Sequence, residues 1–300
     1  MAVDWLWATK PQSGDTQDIL TDIAYGDGKV YFTATGNKGN IVLAATDAEG
    51  TIVWSWLIWA TDQPATMVFE NGAEFMDRNI GATSAEEDSN DAFGLMYQWG
   101  RKEAFYGGTL NEDSADAIPF STAEVETVVN EAFGMTWQHT NTVATLEMGT
   151  AQPMTMFFDG AAISSSGNWI DNHENAVWAN EKTDSDPCPA GYRVPSSDEY
   201  SGIENGEIDA KGLTYTYNGQ SAWFPVQGLR EDSSGILVLY NWFWLWTNSE
   251  LTRESLFDPN VLFYLALRAG GTEESGMGPL ISNAHQSNRA MAMPVRCVKE

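Results

Sequence analysis

Five large apolar residues follow one another without a break in the segment YNWFWLWTNSE, residues 240–250. Side chains of a β-strand point alternately to its two faces, so the three tryptophans face one way while Phe243 and Leu245 face the other. Either the protein covers both faces, or one face is left for a partner. Because tryptophans that alternate on a strand are more often buried than exposed, we expect the indoles in the core and Phe243 and Leu245 on an outer face.

The charge balance excludes several classes of partner. The chain carries 42 Asp and Glu against 15 Lys and Arg, a net charge of -27, while 43% of its residues are apolar. That apolar fraction is ample for a packed core. The acidic surface repels phosphate backbones and anionic headgroups, so nucleic acid is not expected as a partner. No apolar run reaches the length of about 18 residues that would insert into a membrane.

The first residues, MAVDWLWATKPQ, lack the basic end and the small-residue cleavage site of a secretory signal. The protein is therefore either cytosolic or a trimmed piece of a longer chain. Two cysteines, Cys188 and Cys297, are too few for a disulfide scaffold and have no CxxC spacing. If they pair, the closed loop contributes roughly 4 to 5 kcal/mol in the chain-entropy model, and the pair implies an oxidising compartment.

Short β signals fill residues 18–62. The turn sequences GDGK and DAEGT separate runs of β-branched and aromatic residues. We expect residues 1–64 to form a small antiparallel β unit of the immunoglobulin-like, sandwich type, and about four strands leave open that the unit is truncated.

Helices are predicted in the middle of the chain. Residues 89–105 place Phe93, Met96 and Tyr97 at helical spacing. Residues 120–134 contain a capping box and end at a glycine, and residues 194–203 begin a third, short helix. Strand-like segments follow, so helices precede strands and the expected fold class is α+β.

Five blocks in order resemble the Fibrobacter-type major paralogous domain, known as FISUMP. They are MDRNIGA (76–82), GLMYQWGRKEAF (94–105), DPCPAGYRVPSSDEY (186–200), WTNSE (246–250) and PVRCVKE (294–300). The resemblance covers roughly residues 65–300 and implies a C-type lectin-like domain over that range. The segment GTIVWSWLIWATD also resembles the β unit that precedes this domain in surface proteins of gut anaerobes, which implies a secreted or cell-surface protein.

The resemblance further implies a disulfide between Cys188 and Cys297 that pins the third helix to the last strand. Long loops would project from this braced base, and the loop face is where C-type lectin-like domains bind ligands. Residues 235–250 and 270–288 would belong to that face. We expect a glycan or a protein to bind there by aromatic stacking and hydrogen bonds. The predicted ligand-binding residues are Tyr240, Asn241, Phe243, Leu245, Asn283, His285 and Asn288.

No metal, cofactor or enzyme activity is expected. His139, His173 and His285 lie far apart with no carboxylate or cysteine at ligand spacing. No GxSxG, P-loop, HExxH or GxGxxG motif is present. The family also resembles the formylglycine-generating enzymes, whose chemistry needs a reactive cysteine pair, but the two cysteines here fall on structural positions.

The sequence therefore predicts a non-enzymatic ligand-binding or adhesin module of an exported protein. One alternative is a variable protein of a diversity-generating retroelement, because apolar residues replace Asn and Tyr at loop positions. Another is a structural pilus-tip or virion component. An acidic glycoside hydrolase ranks last.

Overall fold

The computed structural model describes residues 1–11, 16–107, 123, 126–160, 168–170, 177–209, 211–238, 242–250, 264–270 and 280–300. In this part of the chain one α-helix, α1 (Leu146–Ala151), is described over its whole length, and Ala123 and Glu126 are also helical. Four short 3-10 helices accompany 22 strands. The 3-10 helices are Asn90–Ala92, Glu131–Phe133, Ser197–Tyr200 and Ile203–Asn205. The strands, β1 to β22 in order, are Ala2–Thr9, Leu20–Gly26, Lys29–Ala34, Gly39–Thr46, Ile52–Ala60, Thr66–Val68, Glu74–Met76, Met96–Gln98, Thr127–Val129, Gln138–Asn141, Thr155–Phe158, Tyr192–Arg193, Glu207–Ile208, Gly212–Tyr217, Gln220–Pro225, Leu229–Arg230, Leu237–Val238, Trp242–Glu250, Tyr264–Gly270, Leu280–Ser287, Ala292–Pro294 and Val298–Lys299.

The predicted α+β, C-type lectin-like fold is wrong. The structure is 43% strand and only 9% helix, and its small antiparallel sheets are arranged like the blades of a four-bladed propeller. Sheets of two to four strands have the orders β5-β4-β1-β9, β12-β22-β7-β6, β17-β16-β21-β8, β13-β14-β15, β18-β19-β20, β2-β3 and β10-β11. Among these pairings only β10 with β11 is parallel.

The helix predicted over residues 89–105 is replaced by a 3-10 turn, Asn90–Ala92, and by strand β8, Met96–Gln98. All three residues of β8 are buried, and the strand pairs with β21. A strand that is covered on both faces shows a short unbroken apolar run, which periodicity cannot distinguish from a buried helix. The helix prediction was wrong because buried and exposed residues do not alternate along this strand.

The other two helix predictions are confirmed in part. Ala123 and Glu126 are helical, but Thr127–Val129 form β9, which pairs with β1. The β-branched residues Val128 and Val129 favour a strand over a further turn of the helix. Farther along, a capping box is present: Glu199 accepts from the Ser196 backbone N–H, and Ser197–Tyr200 form the expected short helix as a 3-10 helix.

The predicted N-terminal strands are confirmed. In the sheet β5-β4-β1-β9, strands β4 and β5 pair from Gly39 opposite Ala60 to Thr46 opposite Ile52. The β2–β3 hairpin lies beside it, with Ile19, Leu20 and Ile41 in a shared apolar cluster. Strand β9 comes from residues 127–129, so this sheet extends beyond the first 64 residues.

The Trp-rich run lies in β18, between two apolar clusters of the protein itself. The main core contains Trp7, Trp99, Trp178, Trp244 and Trp246, and the second core contains Phe69, Phe75, Tyr200, Phe224, Phe243 and Leu245. Phe243 and Leu245 are each only 1% exposed. The expectation that they lie on an outer face is therefore wrong, because β18 is covered on both faces, as strands inside layered folds are.

The disulfide between Cys188 and Cys297 is confirmed. The two Cα atoms lie 5.9 Å apart across a sequence separation of 109 residues. Close by, Tyr192 and Arg193 of β12 pair with Lys299 and Val298 of β22. The bond therefore joins the segment before β12 to the residue directly before β22, and not the short helix Ser197–Tyr200 to the last strand as expected.

Candidate functional site

The structure describes the side chains of three of the seven predicted ligand-binding residues, Phe243, Leu245 and Asn288. Tyr240 and Asn241 lie outside the described residues, and Asn283 and His285 lie in β20. Phe243 and Leu245 belong to the second core.

Asn288 is the remaining predicted ligand residue, and its side chain serves the protein itself. Its Nδ2 donates to Asp232 Oδ2 at 2.9 Å, and its Oδ1 accepts from the Met291 backbone N–H. The backbone carbonyl of the same Asp232 lies 2.7 Å from His139 Nε2, and the His139 ring stacks on Phe158. Burial lowers the pKa of His139. We therefore assign Asn288 a structural contact.

A different site, the tryptophan pocket, lies along β5. Its cavity of about 230 Å³ takes most of its lining residues from three distant segments. These segments are residues 54–59 of β5, residues 102–104, which we call the floor, and residues 184–189, which we call the wall. Its lining residues are Trp7, Val42, Trp54, Ser55, Trp56, Leu57, Trp59, Ile80, Lys102, Glu103, Ala104, Pro153, Asp184, Asp186, Pro187, Cys188 and Pro189.

Strand β5 supplies the aromatic side because it is an edge strand whose residues are only partly covered. The sheet order leaves β5 with one partner, β4. Its indoles Trp54, Trp56 and Trp59 are half-buried, and Trp59 Nε1 donates to the Ala82 carbonyl at 2.9 Å. An edge strand exposes unpaired backbone groups, and a lysine placed on it is one way to protect them. Here the neighbouring floor residue Lys102 takes that role.

Lys102 fixes the strand to the floor. Its Nζ donates to the Ser55 carbonyl at 3.1 Å and to Ser55 Oγ at 2.9 Å, and it lies 4.2 Å from the centre of the Trp54 ring. The same ammonium is 2.6 Å from Glu103 Oε1. Lys102 thus holds the orientation of one indole by a cation–π contact while its charge is neutralised by Glu103.

Arg101 braces the floor from below. Its Nε is 3.2 Å from Glu103 Oε2, and its two Nη atoms donate to the carbonyls of Gly149, Gln152 and Thr155. Burial lowers the pKa of Arg101, and the Glu103 carboxylate opposes that effect. Because Arg101 and Lys102 each engage one oxygen of Glu103, both carboxylate oxygens are committed to cations.

The wall is held by Asp186 and the disulfide. Asp186 Oδ1 accepts from the Cys188 N–H at 2.8 Å and from Lys182 Nζ at 3.1 Å, while Oδ2 accepts from the Val194 N–H at 2.9 Å. The bond from Cys188 to Cys297 anchors the same wall to β22. A pocket wall tied by a carboxylate and a covalent bond stays in place without its ligand, which is the preorganisation that binding sites need.

The lining of the pocket is mostly apolar, includes four tryptophans and has a few polar groups, the composition expected of a small-molecule site. No group of three or more His, Cys, Asp or Glu suited to a metal occurs among the described residues. The strand sequence IVWSWLIWA was the signal that could have revealed the aromatic side. Nothing in the sequence places residues 102–104 and 184–189 beside it.

Within the part of the chain that the structure describes, no helix has the length and apolarity to span a membrane. The chain matches no known protein family, no curated protein and no solved structure. What it does is therefore inferred from the chemistry of its own residues.

Proposed function

We propose that the protein is a non-enzymatic glycan-binding module that holds one sugar residue in the tryptophan pocket. The observation that carries the proposal is the pair of half-buried indoles, Trp54 and Trp59, beside a cavity whose polar residues are held in place by hydrogen bonds. Indoles combine a broad apolar face with a polar N–H, which suits a ring whose faces are C–H and whose edges are hydroxyl groups. The cavity, about 230 Å³, is below the ~300–1,000 Å³ of drug-sized sites, so it favours a single ring.

Charge argues for a neutral ligand. Glu103 is engaged by Arg101 and Lys102, and Asp186 by Lys182, so the charges at the floor and wall are largely paired within the protein. Paired charges still offer hydrogen bonds at their remaining lone pairs and N–H groups. Of the three carboxylates in the lining, Glu103 and Asp186 are engaged by cations, and the third, Asp184, is exposed.

Export is part of the proposal. Disulfides persist in oxidising compartments and are rare in the cytosol, so the Cys188–Cys297 bond supports a secreted or cell-surface protein. The alternatives of a variable protein and of a structural subunit stay predictions, because no described contact bears on either.

The test is a glycan array probed with the purified chain, followed by calorimetric titration of each sugar that binds. We expect Trp54→Ala to weaken binding about tenfold, equivalent to ~1.4 kcal/mol. Trp5→Ala is the matched control, because Trp5 is also half-buried on this sheet but packs beside Ile41 and Leu43, outside the pocket. Equal losses in the two variants, or an array with no binding, would contradict the proposal.

A further inference from the structure

The hairpin of β2 and β3 is a sheet of only two strands, and β3 pairs with no other strand in the part of the chain that the structure describes. Five of the six residues of β3 are exposed. Tyr31 is 50% and Phe32 41% exposed, and with Tyr25 of β2 they are the only exposed aromatic residues among those described. Sheets that are stable by themselves usually have three or more strands. The outer edge of β3 is therefore a place where a further strand can bind.

The pairing of β3 with β2 determines which backbone groups of β3 point outward. Gly26 and Lys29 flank a two-residue turn and form the first hydrogen-bonded pair, and at the other end the Thr35 N–H donates to the Ile19 carbonyl at 3.0 Å. In an antiparallel ladder such residues alternate with residues whose N–H and C=O groups point away from the partner strand. The odd-numbered residues from 29 to 35 therefore bond to β2, and the even-numbered ones turn their backbone groups to the free edge.

This free edge is regular along its length. The register shift of the hairpin lies between Thr21 and Ala24, so the extra residue belongs to β2, where Asp22 has a φ of 53°. Natural edge strands avoid pairing by means of bulges, prolines or charges within the strand. The sequence of β3, KVYFTA, has no proline, and its only charged residue, Lys29, is the first. Its other residues are mainly β-branched and aromatic, the types that favour strands.

The distribution of charge favours β3 as a contact between two copies of this acidic chain. Two molecules that each carry a net charge of -27 repel each other over most of their surfaces. Residues 28–46 nevertheless contain no Asp or Glu and include two lysines. The two carboxylates of the hairpin, Asp22 and Asp27, lie in β2 and in the turn. Two β3 strands can therefore approach each other without bringing carboxylates of the strands themselves together.

We infer that the protein self-associates through β3, with the β3 strands of two copies pairing antiparallel around a twofold axis. Because even-numbered residues supply the hydrogen bonds, the register that pairs the whole strand is centred on Phe32. Phe32 of one copy then lies opposite Phe32 of the other, and Val30 lies opposite Ala34. Opposite residues share a face, so the two phenylalanine rings meet, while Tyr31 lies opposite Thr33 on the other face. The two hairpins form one four-stranded sheet.

The association is weak, and salt strengthens it. A pair of six-residue strands buries much less than the ~800 Å² per partner of a standard interface. Salt screens the repulsion between the two acidic molecules but has little effect on hydrogen bonds between backbones. This salt dependence is opposite to that of a dimer held by ion pairs. The inference is independent of the glycan proposal, because β3 contributes no residue to the tryptophan pocket.

Sedimentation equilibrium of the purified chain at about 0.05 M and about 0.5 M salt tests this inference. We expect a monomer–dimer equilibrium whose association constant rises about threefold or more with the salt. Phe32→Lys places two ammonium groups opposite each other and should weaken the dimer about tenfold. The matched control Val143→Lys adds the same charge at a residue of similar exposure, 37%, outside the hairpin, and should leave the association constant within about twofold.

A cysteine in place of Phe32 provides a second measurement that does not depend on high affinity. The two thiols of Phe32→Cys would lie on opposite residues, about 5.5 Å apart between Cα atoms, a separation that a disulfide spans. Mild oxidation should therefore give a covalent dimer on a non-reducing gel. Thr21→Cys is the control, because Thr21 is exposed on β2, and the β2 strands of the two copies would be three strand spacings, roughly 14 Å, apart.

Melting curves show whether each variant folds, and the cysteine pair decides the matter if Phe32→Lys does not. Absence of self-association at both salt concentrations would overturn the inference. Equal losses in Phe32→Lys and Val143→Lys, or equal cross-linking of the two cysteine variants, would do the same. Trp54→Ala should leave the association constant unchanged, so failure here and failure of the glycan proposal are distinguishable.

Discussion

Breaking the disulfide tests how the two ends of residues 188–297 are held together. Both sulfurs are buried, with Cys188 4% and Cys297 0% exposed. In the chain-entropy model, a cross-link over a separation of 109 residues reduces the entropy of the unfolded chain by about 16 cal/mol/K, which is ~5 kcal/mol at 25 °C. The unfolding entropy of 300 residues near the melting temperature is about 0.6 kcal/mol/K, so the expected fall in Tm is ~8 °C.

The assay is differential scanning calorimetry of the oxidised protein, the reduced protein and the double variant Cys188→Ala, Cys297→Ala. Alanine avoids burying a new hydroxyl, and the small cavities it leaves add about 1 kcal/mol each. The reduced protein should therefore melt ~8 °C lower and the double variant slightly lower still. A fall of less than about 2 °C would refute the reasoning, since it would show that the loop is already constrained in the unfolded state. Reduction should also weaken sugar binding, because Cys188 lines the tryptophan pocket.

Three further outcomes follow from the packing. Phe243→Ser should cost about 3–5 kcal/mol of unfolding free energy in a denaturant titration, because the ring is buried in the second core. Arg101→Met should cost about 3–5 kcal/mol by the same measurement, because it leaves the buried Glu103 without one of its two cations. Burial raises the pKa of Glu199, but its hydrogen bonds with Arg193 and Ser196 outweigh burial and hold the pKa below its ordinary value of 4.5. The stability from this pair is therefore present above pH 4.5 and lost as the pH falls through the lower folded pKa, and Glu199→Gln should flatten the acid side of a plot of unfolding free energy against pH.

The sequence correctly predicted the features that depend on contacts between neighbouring residues, namely the β2–β3 turn and the capping box. The turn at Asp27 and Gly28 has positive φ at both residues, as the sequence GDGK requires, and the hairpin β2–β3 follows from it. The capping box at Ser196 and Glu199 is likewise a contact between near neighbours. Such features need only a few residues of context, so their residue types are enough to identify them.

The sequence did not predict the burial of both faces of β18 or the tryptophan pocket, because both depend on contacts between residues distant in the sequence. The run in β18 is apolar on both faces, and that pattern fits a covered strand as well as one awaiting a partner. Phe243 is covered by Phe224, 6.1 Å away between ring centres, and Trp246 Nε1 donates to the Tyr97 carbonyl at 2.7 Å. Neither contact has a local signature. The tryptophan pocket was missed for the same reason, because it joins three segments that are distant in the sequence.

The distribution of arginine makes the surface more acidic than the composition indicates. Among the described residues, five of the fifteen basic side chains of the sequence are buried, namely Arg78, Arg101, Arg230, Arg289 and Arg296. Burial lowers the pKa of Arg230 and Arg296 to about 10, so both stay charged at neutral pH. Arg296 donates to Asn79 Oδ1 and the Trp223 carbonyl and lies 3.8 Å from the centre of the Phe224 ring.

A planar guanidinium suits such positions because it bonds several carbonyls and stacks on rings while it remains charged. The chain thus places cations where they tie irregular backbone together, and at most ten basic side chains are left to balance the surface carboxylates. That surface concentrates cations around the molecule and repels polyanions.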